Sequence, residues 1–241
     1  MSDEKSLRDV AEEAGVNVQS MIEERIREAL RGRTATKVHK LDPDPAPAIA
    51  LTLEPRRTAI VVIDLQKGIA NMPGGAPHTK PSVIANTARL LAAARAAGAQ
   101  PVLVQVGGSP DGADRVKTPT DQAWKATGPL PPDWSELIPE LDRQPTDIVV
   151  LKRQWGAFYG TDLDLHLRRR GLAAIVICGI ATEFGVESTA RDAYERGYEL
   201  IFAEDAMTGM TAESHANSIE RIFPRLGRVR STGEIVAAFK G

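Results

Sequence analysis

The chain contains one cysteine, Cys178, among 241 residues, which excludes an intramolecular disulfide framework. It has no excess charge of one sign: 30 Lys and Arg stand against 32 Asp and Glu, a formal net charge of −2. Nothing in that balance attracts nucleic acid or an anionic membrane. It also lacks a long apolar run, and its beginning, "MSDEKSLRDVAEEAGV", has neither the core of a secretory signal nor a membrane span. These absences leave a cytoplasmic protein with a small-molecule partner as the expectation.

What is present divides in two. Residues 1–56 read as an N-terminal helical arm and linker: Leu7, Val10 and Ala11, then Met21, Ile22, Ile26 and Leu30, recur at helical spacing, and "AGVNVQS" breaks them. The prolines of "DPDPAPA" oppose regular structure over residues 34–56. The arm is acidic up to Glu24 and mostly basic from Arg25 to Lys40, a segregation suited either to packing on another subunit or to a solvated amphipathic helix.

Residues 57–241 read as one α/β domain. Short β-branched runs at 58–64, 101–106, 147–151, 173–178, 199–204 and 227–230 alternate with helical patterns, which demands crossover connections and a mainly parallel sheet. The near-continuous apolar character of the strands predicts burial on both faces. Between them, Val83, Ile84, Ala88, Leu91 and Ala94 make a helical stripe that Gly98 closes. In "TDLDLHLRRRG" Thr161, Asp164 and Gly171 supply cap, box and stop, and Ser231 with Glu234 repeats the box. The Gly107–Pro132 stretch is too long for an ordinary connector and is expected to border a site.

Open parallel sheets place chemistry beyond the carboxyl ends of their strands. Asp64 closes "AIVVID" and Lys152 closes "DIVVLK"; a carboxylate and an ammonium brought together there shift each other's proton affinity, with burial deciding whether the acid stays protonated. Taken singly, each also fits a turn cap or a rim lysine. The third locus is "CGIATEFGVESTARDAYERGY", where Gly179, Ala181 and Gly185 permit close backbone approach and the amides opening a helix can face an anion. The same stretch also fits a tight packing turn.

"VVIDLQ", "KRQWGAFYGTDLDLHLRRRG" and "CGIATEFGVESTARDAYERGY" followed by "AEDAM" resemble, in that order, the isochorismatase-like hydrolase superfamily from about Thr58 to Phe239. The resemblance implies a three-layer sandwich around a six-stranded parallel sheet, and a dimer or tetramer. Most such enzymes are cysteine hydrolases of amides, such as nicotinamidase and carbamoylsarcosine amidase. Their Asp and Lys match Asp64 and Lys152, whereas their cysteine position carries Gly185. Without a thiol there, an acyl-enzyme route has no nucleophile, and Cys178, seven residues upstream in a strand, reads as a buried core residue.

Isochorismatases, which cleave a vinyl ether, also carry glycine at this position. The resemblance therefore implies acid chemistry by Asp64, with Lys152 orienting it. Gln66, Trp155 and Phe158, together with Ala181, Thr182, Glu183 and Phe184, become candidate substrate contacts. Ala181, Glu183 and Trp155 depart from the isochorismatase pattern, and Arg153 is the nearest arginine for a substrate carboxylate. "NMPGGAPH" resembles the metal-bearing loop of nicotinamidases, but His39, His78, His166 and His215 are scattered without zinc-site spacing, so neither metal nor other cofactor is expected. The alternative to a hydrolase is a catalytically retired member that binds a metabolite or oligomerises through its arm.

Overall fold

The computed structural model describes residues 51–122 and 130–239, together with the helical pair Glu24 and Arg25. The expected helices of the arm, their charge segregation and the connector up to residue 50 otherwise lie outside the described residues. The chain divides into two compact units, Met1–Ile49 and Ala50–Gly241.

At the centre of the second unit is a six-stranded sheet of β1 Thr58–Ile63, β2 Gln100–Val106, β3 Ile148–Lys152, β4 Ala174–Ile180, β5 Glu199–Thr208 and β6 Arg228–Arg230. The strands run in the order β3-β2-β1-β4-β5-β6, and every neighbouring pair is parallel. All six residues of β1 and all seven of β4 are buried, the result of helices covering both faces of a parallel sheet. One core layer holds Val61, Ile63, Phe158, Val186 and Phe202; the other holds Ile60, Val62, Leu90, Leu103 and Cys178. Burying one such Leu, Ile or Phe side chain contributes about 1.5–3 kcal/mol, so these two layers carry the fold.

The strands match the alternation in the sequence to within one residue, except that two run further. β4 reaches Ile180 and β5 reaches Thr208, because the small and polar residues there still pair across the sheet, Gly179 with Met207 and Ile180 with Thr208. The helix Lys80–Ala97 begins at Thr79, whose hydroxyl accepts from the Ser82 N–H, and ends at Gly98 in the left-handed region. Its buried stripe is Val83, Thr87, Leu90, Leu91 and Ala94. Ile84 and Ala88 are only partly covered, because the helix packs one position around from the stripe that hydrophobicity alone suggests.

The helix Leu163–Arg169 starts one residue later than the box predicts, after Asp162. Thr161 Oγ1 still accepts from the Leu163 N–H, but Asp164 turns away to accept from the Tyr198 hydroxyl. The Ser231–Glu234 box forms in full at the helix Thr232–Ala238.

Candidate active site

β1 delivers Asp64 to the carboxyl edge of the sheet, where its backbone leaves the strand at φ 55° with its N–H donated to Val104 O on β2. Lys152 ends β3, two strands away. Two strand spacings amount to about 10 Å, a gap that a long lysine and a short aspartate close by reaching across the end of β2. Lys152 Nζ lies 2.7 Å from Asp64 Oδ2 and 2.6 Å from Trp155 O. Both side chains are buried, Lys152 at 1% exposure and Asp64 at 5%.

β4 lies on the other side of β1, with Gly179 level with Ile63. The chain therefore leaves β4 beside Asp64, through a cis Ile180–Ala181 peptide and a widened turn, Thr182–Val186, into the helix Glu187–Glu195. A Cβ on Gly185 would stand 3.2 Å from both Asp64 Oδ2 and Lys152 Nζ, and 2.9 Å from Ile63 Cγ2. The three loci singled out in the sequence thus converge on one point.

Burial pushes the Asp64 carboxyl up to about 6, and the Lys152 charge and its hydrogen bond only partly offset that desolvation. The tension between a dry setting and an adjacent cation is decided in favour of the dry setting. Asp64 Oδ1 is buried and has no hydrogen-bond partner among the described residues, so one oxygen of the pair is held by Lys152 and the other is left for something else.

The remaining candidates separate by place. Trp155 is 62% exposed and Phe184 37%, and their rings meet at 4.8 Å, an aromatic pair between the Lys152 anchor and Gly185. Phe158 lies in the core at 4% exposure, its ring against Tyr198. Gln66 is fully buried and spends its amide on backbone: Nε2 donates to Val106 O and Trp134 O, and Oε1 accepts from the Val106 N–H. It braces the edge of the site.

Ala181 is half-buried, and Thr182 is buried with Oγ1 2.9 Å from His215 Nδ1. Glu183 turns toward the helix Ala212–Asn217, where Oε1 accepts from the Met210 N–H and the Ser214 hydroxyl; Oε2 is buried without a partner among the described residues. Arg153 is engaged by Asp114 at 2.6 Å, and its guanidinium holds that carboxyl down at about 2.

Cys178 faces the core layer opposite Ile63 and Val186. Its thiol contacts Thr87 and Val61 O, and burial pushes it up to about 12, so it is protonated and walled off from the site.

One feature has no signal in the sequence, and a second has one only in "NMPGGAPH", which ends at His78. Thr189 Oγ1 donates to Gly185 O at 2.6 Å and accepts from the Ala157 N–H, tying the Trp155 segment to the Gly185 turn. The scattered histidines also prove partly clustered: His78 and His215 stand edge to face, ring centres 5.4 Å apart, with Glu204 beside them, a group whose donor atoms lie close enough to hold a metal ion. The expectation of unrelated histidines fails because residues 78, 204 and 215 meet only through the packing of β5 with its flanking segments. Burial, with His78 adding to it, lowers the His215 imidazole to about 4 against the opposing charge of Glu183.

Residues 58–234 match the isochorismatase domain model. The chain belongs to the isochorismatase family, a family of hydrolases. It is 50% identical over 188 residues to YecD of Escherichia coli O157:H7, an uncharacterized isochorismatase family protein, covering 78% of this chain and 99% of that one. It is 36% identical over 202 residues to RutB of Variovorax paradoxus, a ureidoacrylate amidohydrolase, covering 73% and 77%. Among solved structures, an isochorismatase family protein from Burkholderia thailandensis superposes with a TM-score of 0.74 at 44% identity over 79% of this chain and 98% of that one. The isochorismatase fold supplies the parallel sheet whose edge gathers Asp64, Lys152 and Gly185.

Proposed function

We propose that the chain is a thiol-independent hydrolase of the isochorismatase family. Asp64 is its acid–base group, Lys152 the partner that orients Asp64, and Gly185 stands where amidases of the family carry cysteine. The observation that carries the reading is the position of Gly185, whose absent side chain would meet Asp64 Oδ2 and Lys152 Nζ together at 3.2 Å. A nucleophile is missing at the point where an acid and a cation already face each other.

Cleavage of a vinyl ether fits such a site. Protonated Asp64 donates from Oδ1 to the terminal carbon of the enol ether, and the carbon bearing oxygen becomes an oxocarbenium ion. Water adds to it and returns a proton to the carboxylate, and the hemiketal opens to a ketone and an alcohol. Lys152 stabilises the carboxylate formed in the first step, and a carboxyl raised to about 6 keeps an acid form close to neutral pH. Trp155 and Phe184 supply an apolar wall. Amide hydrolysis, the activity of the RutB relative, would require water as nucleophile here.

The missing nucleophile at residue 185 favours a second reading, a metabolite-binding or oligomerising member without turnover. A turnover screen on enol ethers, amides and small esters, run with Asp64→Asn alongside, separates the two. The expected result is hydrolysis of an enol ether, lowered about 10²–10⁴-fold by the substitution. Absence of turnover on every class, or turnover indifferent to Asp64→Asn, overturns the enzymatic reading.

A further inference from the structure

We propose that His78, Glu204 and His215 form a binding site for one zinc-class divalent ion, separate from the Asp64–Lys152 pair. The three come from different elements: His78 precedes the cap of the helix Lys80–Ala97, Glu204 lies in β5, and His215 lies in the helix Ala212–Asn217. One donor atom from each falls within 4.8 Å of the other two. Two imidazoles and a carboxylate are a donor set that zinc accepts, with bonds of about 2.0–2.2 Å and donor separations near 3.4 Å in a tetrahedron.

One edge of that tetrahedron already exists, since His78 Nε2 and Glu204 Oε2 stand 3.4 Å apart. The other two separations are at most 4.8 Å, so closing the tetrahedron asks for shifts of up to about 1.4 Å shared between the glutamate carboxylate and the imidazole rings.

The ring of His215 is held as a ligand's ring is held. Its Nδ1 faces Thr182 Oγ1 at 2.9 Å, and the tautomer that donates Nδ1–H to that hydroxyl leaves the Nε2 lone pair for a metal. Ligating histidines regularly fix their orientation in this way through the second nitrogen. His215 is buried, whereas the side chains of His78 and Glu204 are 29% and 36% exposed, which gives an ion an entry path and leaves water a fourth position.

The neighbourhood is also unsettled in polar terms. Glu183 Oε2, buried without a partner among the described residues, lies 2.8 Å from where a Cβ on Gly209 would stand, and His215 Cβ lies 3.2 Å from the same point. Glu183 Oε2 and the His215 side chain thus border the same space beside Gly209. A cation bound at the three donors would join the segment before residue 79 to β5 and, through Thr182, to the turn that carries Gly185.

The experiment is titration of the tag-free full chain, stripped with a chelator, with zinc chloride followed by calorimetry, and with cobalt(II) followed by its visible spectrum. His78→Asn and Glu204→Gln serve as variants because both residues are partly exposed and outside the core. His39→Asn controls for the histidine of the N-terminal arm. One zinc per chain is expected, with a four-coordinate cobalt spectrum, affinity weakened by about tenfold or more in each of the two site variants, and no weakening in His39→Asn. Absence of binding, loss of binding in His39→Asn, or a weakening below about tenfold in either site variant overturns the site and leaves His78–Glu204 as a plain hydrogen-bonded pair. None of these readouts depends on turnover, so the result stands apart from the fate of the hydrolase reading.

Discussion

At Asp64, desolvation and the Lys152 charge act on one carboxyl with opposite sign, and desolvation is the larger. The folded state therefore holds this proton more tightly than the unfolded chain, whose value is the ordinary 3.8. The resulting stabilisation is complete below about 3.8 and is lost as pH rises through about 6. The thermal stability of the wild type should accordingly fall, relative to Asp64→Asn, as pH rises between those two values. If the protonated carboxyl is the acid, kcat/KM on an enol ether should fall about tenfold per pH unit above about 6, and the residual rate of Asp64→Asn should show no such step. A profile flat through this range removes Asp64 as the acid. Asp64 and Lys152 were legible in the sequence because a charged residue that ends an apolar run has to emerge at the sheet edge. The work of Gln66 and Glu183 was not, since what decides it is backbone from residues 106, 134 and 210, which no local pattern brings near.

Among the elements, β4 and the turn after it decide the site. Gly179 has φ 118° and sits against β1 so closely that a Cβ would fall 2.1 Å from Ile63 O. Both the torsion and the space exclude a side chain, and the residue pressed upon immediately precedes Asp64. Gly179→Ala should cost more than about 3 kcal/mol, from left-handed strain together with forced separation of two central strands, measured as a fall in denaturant midpoint. Any folded fraction should lose the Asp64-dependent rate as well; a variant as stable and active as wild type would show that β4 and β1 can part without disturbing the site. The glycine itself was visible in the sequence, but the reason for it was not, because register between β1 and β4 is a property of two segments more than 100 residues apart.

In the whole molecule, the unit Ala50–Gly241 holds both core layers together with Asp64, Lys152, Gly185 and the His78–Glu204–His215 cluster. A chain beginning at Ala50 should keep its helix and strand content by circular dichroism and retain the rate of the full chain within about threefold, since the burial that stabilises a domain travels with its core. Loss of cooperative unfolding on truncation would assign the first 49 residues a structural role. The sequence by itself determined the parallel α/β class, the six strands and the two charged strand ends, because alternation of apolar runs with helical stripes is local and burial on both faces leaves it little choice. Only the tertiary structure decided the strand order that sets Lys152 two strands from Asp64, the net direction of the Asp64 proton affinity, and the meeting of His78, Glu204 and His215. Each of these depends on distances between segments far apart in the chain, and such distances exist only after the sheet has closed its register and the helices have covered it.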